Sequence, residues 1–161
     1  MARLASAGER RGAFREEKTL AALAEPLVSW GRLSYRRPAY LEKDTTGPAP
    51  ERLVVDGGRL VLTPGQEPPR VVDLDSAPEL RALVDTVRGT LAGDLPALRR
   101  SFSVAVSGQA AAWRIVLTPV DGRVGRVVSQ VVVDGAGPDP LRITTRQPNG
   151  DTDLLDITPD R

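Results

Sequence analysis

Residues 76–93, SAPELRALVDTVRGTLAG, form a stretch in which apolar side chains recur at helical spacing. Leu80, Leu83, Val84, Val87 and Leu91 fall on one face, because a 3.6-residue period returns a side chain to the same side every third or fourth position. Ser76 followed by Glu79 has the form of a capping box, so the helix is expected to start at Ser76 and run to Leu91, with Gly93 as its stop. The next stretch, DLPALRR (94–100), reads as a further short helical turn with Asp94 as its N-cap.

On both sides of this helix the period drops to two. Upstream, alternating runs cover 13–20, 27–37, 39–43, 52–56, 59–63 and 70–74, and VVDGGRLVL reads as a hairpin turning at Asp56, Gly57 and Gly58. Downstream, Phe102, Val104 and Val106 alternate with serines, and Trp113, Ile115 and Leu117 alternate with Arg114, Val116 and Thr118. RVVSQVVVDG is more uniformly apolar, and LRITTRQPNGDTDLLDIT reads as a last hairpin turning at Asn149-Gly150. Fifteen glycines and 14 prolines punctuate these runs, which is the pattern of a meandering antiparallel sheet. Ten or eleven such strands in one sheet must curl, and the inserted helix is placed to cover the concave face. Pattern alone leaves a solid core and an enclosed cavity both open, with the solid core the commoner outcome.

Composition narrows the function. The chain has 161 residues, 22 basic and 21 acidic, a net charge of +1, and no histidine or cysteine. One domain over residues 1–161 is expected. A balanced charge offers no field for nucleic acid, so no nucleic-acid partner is expected. The missing histidine and cysteine remove the usual general base, zinc ligands and thiol nucleophile. Asp151, Asp153 and Asp156 sit around an Asn-Gly turn and read as solvated turn residues. No catalytic residue, metal site or cofactor is therefore expected, and the chain is read as not an enzyme. Only six residues are Phe, Trp or Tyr, so any interior surface is aliphatic, and weak discrimination between ligand head groups follows from that.

The stretch GRLSYRRPAYLEK, 31–43, poses a question of its own. Alternation puts Arg32, Ser34 and Arg36 on the polar face of a strand and Leu33, Tyr35 and Arg37 on the face turned to the core. Arg37 either finds partners inside or, next to a proline that disrupts pairing, snorkels to solvent from the strand end.

FREEKTLAALAEPLVSWGRLSYRRPAYLEK, ERLVVDGGRLVL and WRIVLTPVDGRVGRVVSQVVVDG, in that order around the helical insert, resemble the LolA family of periplasmic lipoprotein carriers and its related branches. The resemblance runs from Phe14 to about Ile157. It implies a mainly β fold with α elements (α+β), an unclosed half β-barrel whose concavity is covered by a helical lid. It also implies a periplasmic transport chaperone of outer membrane biogenesis, with its signal peptide removed from this chain. Such a carrier binds the acyl chains of lipoprotein or another lipid as a monomer and moves them between an inner-membrane donor and an outer-membrane acceptor. The arginine before the proline then lies in the cavity and holds the lid, and Arg37 occupies that place. Its donors would reach the orphan carbonyls at the C-terminal end of the helix, near Leu91 to Gly93. The ligand-binding set implied for cavity and lid is Arg37, Leu33, Tyr35, Leu80, Leu83, Val84, Val87, Leu91, Phe102, Val104, Trp113 and Ile115. The alternative reading is a lipid-sensing regulatory or interaction domain of the same fold.

Overall fold

The computed structural model describes residues 8–161. β1 (Glu9–Thr19), β2 (Leu27–Arg36), β3 (Tyr40–Gly47), β4 (Glu51–Asp56), β5 (Arg59–Pro64) and β6 (Arg70–Asp73) precede the helical insert. α1 (Pro78–Ala92) and α2 (Leu95–Arg99) follow, then β7 (Phe102–Gln109), β8 (Ala112–Pro119), α3 (Gly122–Gly125), β9 (Gln130–Ala136), β10 (Asp139–Arg146) and β11 (Thr152–Pro159).

All 11 strands belong to one antiparallel sheet in the order β6-β5-β4-β3-β2-β1-β11-β10-β9-β8-β7. Neighbouring strands follow one another in the chain, β8 and β9 through the connection that carries α3, except where β1 meets β11, the first strand pairing with the last. The edges β6 and β7 do not pair, so the sheet stays an unclosed barrel. The chain between those edges is the helical insert, which therefore has to cross the opening, and this is why a helix in the middle of the sequence becomes a cover over the sheet.

The inner face is read from the register. Arg10, Gly12, Phe14, Glu16 and Lys18 of β1 stand opposite Tyr35, Leu33, Gly31, Ser29 and Leu27 of β2. Two apolar clusters cover this face. One joins Phe14, Leu33, Tyr35, Leu41, Val55 and Leu60 to Val84 and Leu91 of α1. The other joins Ile115, Leu117, Val131, Val133 and Ile143 to Leu98 and Phe102. Leu155 and Ile157 of β11 pack against both clusters, as do neighbouring positions of α1, with Leu80 and Val87 on the first and Leu83 on the second. Each fully buried aliphatic side chain contributes about 1.5–3 kcal/mol, so the helix is anchored along its whole apolar stripe.

Several expectations need correction. α1 begins at Pro78 with Ala77 as its N-cap, and no side chain caps it. Ser76 instead ends a 3-10 turn, Leu74–Ser76, capped by Asp73, so the Ser76/Glu79 capping box does not form. Pro78 at the first turn makes this tolerable, since its missing N–H is one of the donors a cap would have satisfied. Val106, expected inside, is 56% exposed; it sits on edge strand β7 beyond the reach of the helix. The run RVVSQVVVDG, 126–135, is strand only from Gln130 on, where β9 begins, and it is preceded by α3, Gly122–Gly125, capped by Asp121. β1 starts at Glu9, four residues before the alternation was read.

Gly31 explains the glycine that leads the Arg-Pro strand. The β2–β3 register shifts between Trp30 and Gly31, and a Cβ at Gly31 would overlap the Asp44 carbonyl. Only a residue without a side chain fits this close approach.

Candidate ligand-binding site

The C-terminal end of α1 is held from two sides. Of its last four carbonyls, those of Gly89 and Thr90 accept from the backbone, Asp94 N–H to Gly89 O at 3.0 Å and Gly93 N–H to Thr90 O at 3.2 Å. With Gly93 left-handed at φ 65°, this is a Schellman closure. It leaves the carbonyls of Leu91 and Ala92 without backbone partners. Arg10 Nε donates to Leu91 O at 3.1 Å, and Arg37 Nη2 donates to Ala92 O at 2.9 Å. One turn earlier, Arg88 Nη1 donates to Gly57 O at 2.6 Å and to Ala39 O at 3.2 Å, tying the helix to the two turns beside it.

Arg37 is therefore at the helix terminus but not in the interior. β2 ends at Arg36, Arg37 lies in the turn and is exposed overall, and its guanidinium reaches the helix end from the rim. Arg10 is the more enclosed of the two, its side chain 12% exposed and 3.3 Å from Asp139. Burial draws its pKa down while Asp139 works against that, and a guanidinium stays charged throughout.

Beneath α1 lies a cavity of about 490 Å³. Leu83, Thr86, Val87 and Thr90 form its helical wall and Val131 and Ile143 part of its sheet wall. The two threonines present little free polarity, because Thr86 Oγ1 donates to Ala82 O at 2.7 Å and Thr90 Oγ1 to Thr86 O at 2.8 Å. A smaller hollow of about 220 Å³ lies by the arginine end, lined by Arg10, Leu33, Tyr35, Leu91 and Ile157. A wider groove, about 740 Å³, mixes the charged Arg81, Asp85, Arg88 and Arg123 with Tyr35, Leu98 and Phe102, so an acyl chain there would lie against several charged groups.

The residues singled out in the sequence divide among these places. Leu83 and Val87 line the cavity beneath α1, and Leu33, Tyr35 and Leu91 line the hollow by the arginine end, Tyr35 bordering the wider groove as well. Val84 and Ile115 are packed in the cores, and Val104 and half-buried Trp113 pack against the second. Trp113 Nε1 donates to Gly137 O at 3.0 Å. Phe102 is buried at the edge of the wider groove, and Leu80 borders a further opening beside Arg123 and Arg126.

The sequence reading missed a charged group on the inner face. Glu16, only 6% exposed, accepts from Lys43 Nζ at 2.7 Å and lies 3.7 Å from Lys18 Nζ. Lys18 stands directly across from Asp153 of β11. Burial works to raise the Glu16 carboxyl, but the two lysines outweigh it and hold it below its ordinary value. Burial first, then the Glu16 charge, pushes Asp153 up to about 7. Asp153 Oδ1 is buried without a hydrogen-bond partner. Among the described residues no cluster of acids is arranged to hold a metal ion.

Residues 1–156 match the family model described as outer membrane lipoprotein carrier protein LolA-like. The chain belongs to this LolA-like family. Among solved structures, this LolA-like chain resembles MucB, with a TM-score of 0.51 and 16% identity over 98% of this chain and 55% of that one. It also resembles a chain of the MucA/MucB complex of Pseudomonas aeruginosa, with a TM-score of 0.50 and 16% identity over 98% of this chain and 53% of that one. It thus spans about half the length of those chains. A LolA superfamily protein from Nitrosomonas europaea aligns with a TM-score of 0.48 and 12% identity over 93% and 84% of the two chains. No curated protein matches the LolA-like chain significantly. No helix among the described residues is long and apolar enough to cross a membrane.

Proposed function

We propose that this LolA-like chain is a periplasmic, non-enzymatic lipid carrier that takes acyl chains between α1 and the sheet and passes lipoprotein or a related lipid towards the outer membrane. The observation that carries this reading is a cavity roofed by a helix whose last two carbonyls are held by side chains alone. Backbone closure of the helix end survives when those side chains let go, so the roof lifts as a unit without unravelling. A charge-assisted bond contributes about 1.5–3 kcal/mol, less at exposed Arg37 because solvent screens it. Each buried CH₂ of a ligand returns about 0.8 kcal/mol, so a few methylenes offset the latch. Arg10 and Arg37 together act as that latch, and Leu83 and Val87 meet the chain.

The test is twofold. Native mass spectrometry of the protein from its own host should show a copurified lipid, and a fluorescent fatty acid should bind at micromolar concentration and be displaced by other long-chain lipids. A protein that ignores every apolar probe but binds a defined polar molecule refutes the carrier. The likeness to MucB chains, in one case within a complex with MucA, favours one second reading, a lipid-sensing domain. It would hold its lipid without handing it on, so failure to deliver bound probe to acceptor vesicles or proteins selects it.

A further inference from the structure

We propose that the Lys18–Asp153 side of the 490 Å³ cavity is a head-group subsite selecting amphiphiles with an anionic head, a carboxylate or a phosphate, over neutral ones. The inference rests on the carrier reading and narrows its cargo. It also replaces the weak head-group selectivity expected from an aliphatic interior.

The cavity wall divides into two chemistries. Leu83 and Val87 of α1 and Ile143 of β10 are apolar, whereas Lys18, Asp153 and Thr145 stand beside one another in one row across β1, β11 and β10, with Val131 next along it on β9. A long-chain amphiphile has the same division, and matching it lets the tail leave water without burying the head unpaired.

The sign of the head follows from the charges facing it. Lys43 is committed to Glu16 at 2.7 Å. Lys18 is held to Glu16 only at 3.7 Å and its side chain is 46% exposed, so its ammonium has donors to offer. Asp151 lines the same cavity but is engaged, with Oδ1 accepting from Ala21 N–H at 2.8 Å and Oδ2 from Asn149 Nδ2 at 3.0 Å. The wall from α1 contributes leucine, valine and threonine and no titratable group. Asp153, across the strand pair from Lys18, titrates at about 7 and shares its proton with Glu16, so in mildly acid solution it adds no charge of its own beside the head. A head that accepts from the Lys18 ammonium gains most when it is an anion, because a hydrogen bond between two charged groups is stronger than one to a neutral oxygen.

The experiment measures dissociation constants by fluorescence for cis-parinaric acid and its methyl ester, with lysophosphatidic acid and a long-chain alcohol as competitors. The acid should bind about tenfold tighter than the ester, and Lys18→Gln should collapse that ratio. Affinity for the acid should fall several-fold from pH 6 to pH 8 as Asp153 ionises, and Asp153→Asn should flatten this dependence. Either anion displacing the probe better than the alcohol supports the subsite, and their order names the head. Equal binding of acid and ester, or a preference that survives Lys18→Gln in a protein shown folded by thermal unfolding, overturns the subsite and leaves the carrier standing. Displacement by inorganic phosphate alone at the same concentrations also overturns it, since the site would then take free anions. Binding of no tailed probe at all refutes the carrier and the subsite together.

Discussion

At one end of the inner face Arg10 and Arg37 donate to main-chain carbonyls of a helix terminus, whereas at the other Glu16, Lys18, Lys43 and Asp153 face one another across three strands. Both ends belong to β1, Arg10 and Lys18 sharing a face with Phe14 between them. At the arginine end the cations never titrate and their acceptors on the helix are uncharged carbonyls, with Asp139 as a further partner of Arg10, so the bonds to the helix do not themselves depend on pH. The lysine end pairs charges with charges in a half-buried setting, and one of them titrates near neutrality. Fixed cations suit a mechanical latch; a titrating pair suits a place where a ligand's own charge enters the balance.

Removing both arginines should give the largest effect. Arg10→Met with Arg37→Leu leaves Leu91 O and Ala92 O without these donors and should lower unfolding free energy by about 2–4 kcal/mol, read by denaturant unfolding, with the same loss at pH 5 and pH 8. A loss that changes with pH would break the contrast between the ends.

Asp153→Asn comes next, with the opposite sign and a strong pH dependence. The carboxyl titrates near 7 when folded and near about 4 when unfolded. Between those values the folded chain holds a proton that the unfolded chain has released, so the wild type loses stability as pH rises through the window and stays at the lower level above it. The variant should match wild type near pH 4 and exceed it by about 1–3 kcal/mol at pH 8, measured by thermal unfolding. Equal differences at both pH values would show that Asp153 ionises normally.

Arg37→Leu alone should slow probe release by a few-fold, roughly 0.5–1 kcal/mol, because it weakens the empty closed state while giving a loaded chain an apolar neighbour. Arg36→Leu is its control. Arg36 stacks over the Tyr40 ring at 4.1 Å on the outer face, so its loss should cost about 0.5 kcal/mol of stability and leave release unchanged. Stopped-flow release traces for the three proteins decide the matter, and equal slowing in both variants would mean that neither arginine is a latch. Smallest of all is Ser76→Ala. A true N-cap would cost about 1 kcal/mol, but since Ser76 caps nothing the change in midpoint should stay within about 0.5 kcal/mol.

The helix terminus was the more legible of the two ends. Gly93 announced a left-handed stop, and the Arg-Pro pair drew attention to Arg37 and to the carbonyls near Leu91 to Gly93. Its partner Arg10 shared the same alternation, two steps back from Phe14 through Gly12, and was missed because β1 was begun at residue 13. The Ser76 signal misled because the capping box is a local pattern, and Pro78 with the 3-10 turn displaced the start of the helix. Val106 misled because alternation says which face a side chain takes and not whether anything covers that face.

By itself the sequence determined the periods, two for the strands and 3.6 for the helix, and with them the turns, the Schellman stop and the apolar stripe, all set by residues within a few positions of one another. Only the tertiary structure decided that β1 pairs with β11, which sets Lys18 across from an aspartate far away in the chain, while the pairing of β1 with β2 and of β2 with β3 brings Glu16 within reach of Lys43. Read locally, Asp153 was a solvated turn residue. Its altered titration comes from burial and from the charge of Glu16, and both exist only once the first and last strands have met.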